Sequence, residues 1–345
     1  MLPTPKTMYQ AFLDKDSSFE GIFWVGVRTT KIFCRPTCTA KKAKEINVEY
    51  FSRIELAQAA GYRPCKVCRP LALEQNFPDW IASLLDEVKS SPALKLSDTG
   101  LRARGISPVR IRRWFLKHHN MTFHAYVRSL KMVRAAELIK SHQNVIDTSY
   151  TSGYESLSGF NHTFKKTTGL SPKAAKEKNL IIGTKLNTPL GPMLAAATNK
   201  GVCLLDFADE TTINMQVDRV CKVLGTKIVF GTNTLLEKLN SQVKEYFSGQ
   251  RKHFTVPIAY TGTDFQNTVW QALYKVSYAQ TRSYQQLANS IAKPKAVRAV
   301  AKANADNRIL LILPCHRIIG SDQSLTGYRG GIWRKEYLLN LEATY

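Results

Sequence analysis

The sequence predicts a multidomain α+β protein made of three blocks. With 345 residues it exceeds one ordinary domain, and 44% of its residues are hydrophobic, enough for several cores. Two close pairs of cysteines stand within the first 70 residues. Apolar residues recur at helical spacing through the middle, and strand-like runs mix with helices after residue 180. We therefore expect a small zinc-stabilised domain at 1–75, an all-α domain with two helix-turn-helix units at 80–178, and a domain with α/β and helical parts at 180–345.

The chain is strongly basic, with a formal net charge of +23 and a sequence pI near 9.8. Such a field attracts polyanions, so we expect a nucleic-acid partner and no membrane contact; a merely soluble basic surface is the alternative. The sequence shows neither a secretory leader nor 18 consecutive apolar residues. We expect a cytoplasmic protein, associated with the nucleoid when it is bound to DNA.

The first block holds four of the seven cysteines. In a reducing compartment, thiols serve as metal ligands, reactive groups or core residues rather than as disulfides. FCRPTC separates Cys34 from Cys38 by three residues, and RPCKVC separates Cys65 from Cys68 by two. This spacing is typical of one tetrahedral Zn²⁺ held by four thiolates, with unrelated core thiols as the alternative.

The charge of such a site suggests a switch. Four thiolates on one Zn²⁺ carry a net charge of −2, and alkylation of one sulfur leaves −1. At about 8 Å and an effective dielectric near 20, one unit of charge is worth about 2 kcal/mol against a DNA phosphate. Alkylation would therefore raise DNA affinity; a purely structural zinc is the simpler reading.

The middle block reads as two helix-turn-helix units joined by a long helix over 126–142. Ser107-Pro108 is a good start for the first recognition helix, whose apolar face repeats every three or four residues. Arg110 and Arg113 lie largely on its other faces and are candidate DNA contacts. Gly153 turns the chain into a second recognition-helix candidate at 155–166. An ordinary basic helical bundle is the alternative.

The end of this block carries a specific motif, in which Gly159-Phe160, Phe164-Lys165-Lys166 and Gly169-Leu170-Ser171-Pro172 follow one another. The motif resembles the DNA-binding domain of the AraC family of regulators, over about residues 95–178. Gly100 departs from that pattern and weakens its helix relative to alanine. The short polar stretch 173–179 is expected to be a linker.

The third block contains a helix-turn-helix pattern at 283–307, with the turn at Lys293-Pro294-Lys295. It leads into LLILPCHRIIG, where Cys315 and His316 interrupt a strand-like apolar run. A histidine can accept the proton of a thiol and a carboxylate can orient the histidine, and Glu342 is the best carboxylate late in the chain. Strand neighbours point to opposite faces, so a water would bridge thiol and imidazole. An inert core cysteine is the alternative, and we read Cys203 and Cys221 as core residues.

PCHRII, with GYRGGI behind it and LLNLE at the end, resembles the winged-helix-like DNA alkyltransferases that accept alkyl groups from O6 of guanine, over roughly 180–345. The resemblance implies Cys315 as acceptor, His316 as base through water, Glu342 as its orienter and Asn307 as a hinge. Tyr328 would line the pocket and hydrogen-bond the base.

For DNA, the same resemblance implies that Tyr284 helps to rotate the target nucleotide and that Arg298 fills the vacated stack. Flipping is required because O6 of a stacked, paired guanine cannot be approached in line by a thiolate. The product is a thioether, a poor leaving group. We therefore expect one transfer per site, with the protein consumed.

The order of the three blocks identifies the chain as a member of a bacterial family that joins repair methyl transfer to activation of alkylation-response genes. The resemblance implies that zinc-bound Cys34 accepts methyl from DNA methylphosphotriesters and that Thr30 and Arg63 contact DNA. Thr39 and Lys41 stand where the family has arginines; Lys41 keeps the charge without the bidentate fork. Expected partners are alkylated double-stranded DNA, promoter DNA and RNA polymerase.

Two readings from other classes remain open at this point. One is a zinc-dependent AraC-type regulator without transferase activity, which loss of Cys315, Asn307 or Arg298 would have favoured. The other is a thiol hydrolase of a small substrate, which predicts multiple turnover and leaves three basic helix-turn-helix patterns without a purpose.

Overall fold

The computed structural model describes residues 2–16, 19–68, 70, 79–91, 94, 96–119, 121–208 and 210–345. The N-terminal block is a small sheet with two helices. Its elements are α1 (Pro5–Asp14), β1 (Trp24–Val27), β2 (Ile32–Cys34), β3 (Val48–Phe51), α2 (Ile54–Ala59) and β4 (Arg63–Pro64). The strand order is β3-β1-β2-β4, with β4 parallel to β2 and the other pairs antiparallel. Gly26 is needed in β1, because a Cβ there would lie 2.6 Å from the Phe51 ring.

The middle block is helical. Its described helices are α3 (Asp79–Ser90), α4 (Asp98–Ala103), α5 (Pro108–His119), α6 (Phe123–Lys140), α7 (Val145–Thr151), α8 (Leu157–Thr168) and α9 (Ala174–Glu177). Two units, α4–α5 and α7–α8, flank the long α6. α5 begins at Pro108 as predicted, with the Ser107 hydroxyl accepting from the Arg110 N–H. α8 begins at Leu157 rather than 155, because the Ser156 hydroxyl caps it, and it ends at Gly169 with φ of 79°.

The long helix α6 buries residues on more than one side. Val127 and Val133 are buried, whereas Leu130 and Leu138 are only partly buried. Six further α6 residues are buried, namely Phe123, Ser129, Met132, Ala135, Ala136 and Ile139. The helix packs against both units and against the next domain, so it needs apolar residues on more than one side.

The C-terminal block joins a mixed sheet to a helical half. The first half contains β5 (Ile181–Thr188), β6 (Gly191–Thr198), β7 (Gly201–Phe207), α10 (Glu210–Leu224), β8 (Ile228–Phe230) and α11 (Thr234–Phe247), in strand order β7-β6-β5-β8. The second contains α12 (Asp264–Tyr274), β9 (Arg282–Ser283), α13 (Tyr284–Ser290), α14 (Val297–Ala305), β10 (Ile318–Ile319) and α15 (Ile332–Thr344). One apolar core spans both halves. The predicted helix-turn-helix corresponds to α13–α14.

The expected linker at 173–179 is wrong for most of its length. Residues 174–177 form α9, which packs on α6 and buries Ala175 completely. Two adjacent alanines favour this small packed helix over a solvated connection. The C-terminal block also contacts the end of α8, because the Lys227 N–H and the Thr226 hydroxyl both donate to the Thr168 carbonyl, at 3.0 and 2.8 Å. The exit expected near residue 75 lies outside the described residues. No helix in the described ranges is long and apolar enough to cross a membrane.

Candidate functional site

The Cys315 thiol is presented by a tight turn and not by a strand. The predicted strand at 310–313 is wrong: the Leu313 N–H donates to the Ile309 carbonyl, and Leu311 adopts φ of 67°. Only Ile309 bridges the sheet, at Leu205. Cys315 then opens a 3-10 helix, Cys315–Arg317. Such a hydrogen-bonded loop restricts the position of the sulfur more than the end of a strand would.

The Asn307 side chain closes this loop. Its Nδ2 donates to the Leu313 carbonyl at 2.8 Å and to the Cys315 sulfur at 3.1 Å, and its Oδ1 accepts from the Ile309 N–H at 2.9 Å. The residue is fully buried, so each of these bonds forms away from water. Competition from this amide explains why the apolar run turns instead of extending.

The His316 imidazole lies against a buried carboxylate. Its Nε2 is 2.9 Å from Glu342 Oε1, and both side chains are fully buried. Arg317 reaches both oxygens of the same carboxylate, at 2.9 Å each. His316 Nδ1 has no hydrogen-bond partner among the described residues. A neutral imidazole that donates from Nε2 therefore keeps Nδ1 as a proton acceptor.

Burial governs the protonation of this group. It raises the pKa of Cys315, against the opposing hydrogen bond from Asn307. It also lowers the pKa of His316, although Glu342 acts in the other direction. For Glu342, burial alone would raise the pKa, but His316 and Arg317 outweigh it and hold the pKa well below 4.5. At neutral pH the site thus holds a thiol, a neutral imidazole and a carboxylate.

We expect this arrangement to make stability depend on pH. The lowered pKa of His316 means that the unfolded chain takes up a proton below about pH 6.5 that the folded protein resists. The contribution of the neutral imidazole to the free energy of unfolding is complete above that pH and is lost as the pH falls. The contribution of the Glu342 carboxylate is lost in turn below about pH 4.5. Urea unfolding of the full chain should give a lower free energy at pH 5 than at pH 7.5. A His316→Gln variant should show a smaller difference, and an unchanged one would contradict this cause.

The aromatic and basic residues predicted around the thiol differ in their exposure. Tyr328 is buried, its hydroxyl lacks a partner among the described residues, and burial raises its pKa well above 10. Tyr284 opens α13, is partly buried, and directs its hydroxyl at the Thr326 carbonyl, 3.5 Å away. Arg298 is exposed near the start of α14. Both tyrosines therefore lie near enough to Cys315 to feel its charge, and Arg298 is exposed to solvent.

The four N-terminal cysteines converge as predicted. Their sulfurs all lie within 4.8 Å of one another, and Cys38 and Cys65 are 4.0 Å apart. A tetrahedral Zn²⁺ with bonds of about 2.3 Å needs sulfurs about 3.8 Å apart, so the cluster fits this ion. A hydrogen bond to Cys68 and burial raise the pKa of Cys34, and the same bond lowers the pKa of Cys68 to about 5. Thiols this crowded ionise together only beside a cation.

Comparison with known proteins covers the whole chain. Residues 7–70 match the family "Metal binding domain of Ada", 101–178 a helix-turn-helix domain, and 181–260 and 264–344 the ribonuclease-like and DNA-binding domains of 6-O-methylguanine DNA methyltransferase. The "Bifunctional transcriptional activator/DNA repair enzyme Ada" of Escherichia coli is 31% identical over 99% of this chain and 97% of its own. The chain belongs to the Ada family. The "Regulatory protein ada" of Salmonella typhimurium is 31% identical over 95% of this chain and 94% of its own.

Membership of the Ada family confirms several predictions. The α+β class with three kinds of domain is confirmed, as is one Zn²⁺ held by four thiolates. The combination of a cysteine methyltransferase with a regulator is confirmed for the family. The "Methylated-DNA--protein-cysteine methyltransferase" of Methanosarcina barkeri is 41% identical over 46% of this chain and 94% of its own.

The DNA-contacting positions expected of an Ada family member are open to solvent. Thr30, Lys41 and Arg63 are exposed around the cysteine cluster, and Arg110 and Arg113 are exposed on α5. Within the cluster, Cys34 is 5% exposed, whereas Cys68 is partly open. All five of these residues are exposed to solvent.

Sequence reasoning missed the roles of Lys335 and Arg329, and it did not predict the contact that Lys42 makes. Lys42 donates to the Cys38 carbonyl at 2.7 Å beside the cysteine cluster. Lys335 is fully buried in α15, donates to the Thr326 carbonyl at 2.6 Å, and has a pKa lowered by burial to about 8. Arg329 pairs with Asp206 at 2.6 Å and donates to the Asn307 carbonyl. Arg329 stands within the GYRGGI motif, which was its available signal, while Lys335 reads as an ordinary surface lysine.

Proposed function

We propose that this chain transfers methyl groups irreversibly from O6-methylguanine, and from O4-methylthymine, in double-stranded DNA to Cys315. We further propose that Cys34 accepts methyl from DNA methylphosphotriesters, and that the Cys34-methylated protein activates alkylation-response genes. The observation that supports the first transfer is a pair of buried contacts. The Asn307 amide donates to the Cys315 sulfur, and the His316 imidazole contacts the Glu342 carboxylate.

At Cys315 the chain's own groups can balance the whole reaction. His316 Nδ1 takes the thiol proton through one water, and Glu342 stabilises the imidazolium. The sulfur forms a bond to the methyl carbon as the bond from that carbon to O6 breaks. Tyr328, still protonated because its pKa is raised, gives its proton to the departing guanine, and the proton held by His316 then neutralises the Tyr328 phenolate. The thioether has no leaving group, so the protein turns over once.

Access to the base follows from α13 and α14. The target nucleotide must leave the stack to reach a buried thiol. Tyr284, which begins α13, would turn the backbone of that nucleotide, and Arg298, which is exposed, would occupy the gap. Asn307 acts as the hinge, because its amide holds the loop that carries Cys315.

At the N-terminal site, a Zn²⁺ held by the four cysteines would keep them as thiolates at neutral pH while leaving them nucleophilic. The Cys34 sulfur bonds to the methyl carbon, and the phosphodiester leaves as an anion. Thr30, Lys41 and Arg63 hold the backbone nearby. With Zn²⁺ bound, the net charge of the site would change from −2 to −1. The site would then repel the DNA phosphates less, which strengthens binding to DNA.

The regulatory step uses the middle block. α5, with Arg110 and Arg113, binds promoter DNA, and the activating complex contacts RNA polymerase. We assign these activities to three units at 1–75, 80–178 and 180–345. The match of 101–178 to a helix-turn-helix family supports the central one.

Peptide mass spectrometry tests both transfers. Zinc-loaded full-length protein is incubated with alkylated duplex DNA, digested, and each cysteine is assigned by fragmentation. We expect one methyl on Cys315 and one on Cys34, each saturating at one per chain. A methyl on Cys68 instead, the more open thiol, would overturn the choice of Cys34. Unmodified cysteines after exhaustive incubation would favour a zinc-dependent regulator without transferase activity.

A further inference from the structure

The Glu342 carboxylate accepts hydrogen bonds from four residues. Its Oε1 accepts from the Tyr246 hydroxyl at 2.6 Å, as well as from His316 and Arg317. Its Oε2 accepts from Arg317 and from the Ala279 N–H at 3.2 Å. Five donors meet a group with about four lone-pair positions, so the carboxylate is saturated. Loss of any one donor therefore changes the negative charge that the carboxylate presents to His316.

We propose that Tyr246 is a positioning residue for transfer to Cys315, acting through Glu342 on the His316 imidazole. This inference rests on the function proposed for Cys315. Tyr246 belongs to α11 in the sheet-bearing half, whereas Glu342 belongs to α15. Its hydroxyl therefore holds a carboxylate of one half from the other half of the domain.

The contact between Tyr246 and Glu342 is specific. Tyr246 is fully buried, and its ring packs against Phe247, Phe254 and Tyr278. A phenylalanine would keep that packing and lose only the hydrogen bond. Burial, with Glu342 next, raises the pKa of Tyr246 well above 10, so the hydroxyl remains a donor at every relevant pH.

Loss of this donor has a predictable sign. Oε1 would carry more negative charge toward His316, which favours the imidazolium and raises the pKa of the imidazole. The charged groups that face the imidazole are Glu342, Arg317 and Lys335. The titratable groups that face Glu342 also include Tyr246 and Tyr278, both neutral. Only neutral His316 accepts the thiol proton, so the acidic limb of the rate profile moves to higher pH.

Tyr278 provides the matched control. It is 9% exposed, its ring lies 6.2 Å from that of Tyr246, and its hydroxyl has no partner among the described residues. Tyr278→Phe therefore removes a neighbouring buried hydroxyl without removing a bond to Glu342.

The test is the single-turnover rate of transfer from O6-methylguanine duplex to zinc-loaded full-length protein between pH 5 and 9. We expect Tyr246→Phe to be about tenfold slower at pH 7.5, because it loses a hydrogen bond to a charged group. Its acidic limb should move up by roughly half a pH unit. Tyr278→Phe should stay within about twofold of the wild type, since it loses no such bond.

A double variant excludes a merely structural effect. If Tyr246 acts through Glu342, adding Tyr246→Phe to Glu342→Gln should slow transfer by less than about twofold more. An unshifted pH profile, or fully additive rate losses, would overturn the proposal. Absence of transfer by the wild type would instead overturn the function proposed for Cys315.

Discussion

Replacement of Cys315 by alanine should abolish methyl transfer from O6-methylguanine and spare transfer to the N-terminal domain. In the described part of the chain, Cys203 and Cys221 have no such base and amide beside them: the Cys203 sulfur donates to the Ala196 carbonyl, and Cys221 packs in the same apolar cluster. Loss of a nucleophile leaves only binding, so the rate should fall by at least about a thousandfold. Alanine is smaller than cysteine and preserves the loop.

The measurement follows labelled methyl from duplex DNA that carries either lesion. Cys221→Ala is the control, because it removes a partly buried thiol from a position without a catalytic neighbour. It should transfer both methyl groups at the wild-type rate. Full activity of Cys315→Ala on methylated guanine would show that the pocket has been misassigned.

Removal of zinc should unfold the N-terminal domain. The described core of this block is small, and the ligand cysteines tie its sheet together, with Cys34 ending β2 and Cys65 following β4. Binding of a structural Zn²⁺ contributes about 10–16 kcal/mol in small domains, which is more than such a core supplies. The apo domain should therefore lose its fold, whereas the alkyltransferase half should keep its own.

Limited proteolysis of the full chain with and without a chelator would show this. We expect rapid cleavage within residues 1–75 after chelation, restored protection on adding Zn²⁺, and unchanged transfer to Cys315. Cys38→Ser should behave like the chelated protein, and Cys203→Ser, which alters a thiol outside the cluster, should not. Continued protection of the apo domain would mean that its apolar core is sufficient.

The contacts around each site show which predictions local sequence can support. The zinc ligands were predictable because each cysteine pair lies within five residues and the chemistry demands four sulfurs. Helix starts at Pro108, and turns at Gly153 and Gly169, follow from local caps and φ preferences. In contrast, the run at 310–313 reads as a strand but forms a turn, in which the Asn307 amide donates to the Leu313 carbonyl.

The sequence by itself determined the domain order, the zinc ligands, the thiol beside a histidine, and most helices, because these depend on neighbours along the chain. The tertiary structure decided which groups meet across long separations. Tyr246 lies 96 residues from Glu342, and Arg329 lies 123 residues from Asp206. It also decided that Lys335 is buried and that 174–177 is helical. Burial and pairing at that range arise from packing of whole elements, which no local pattern records.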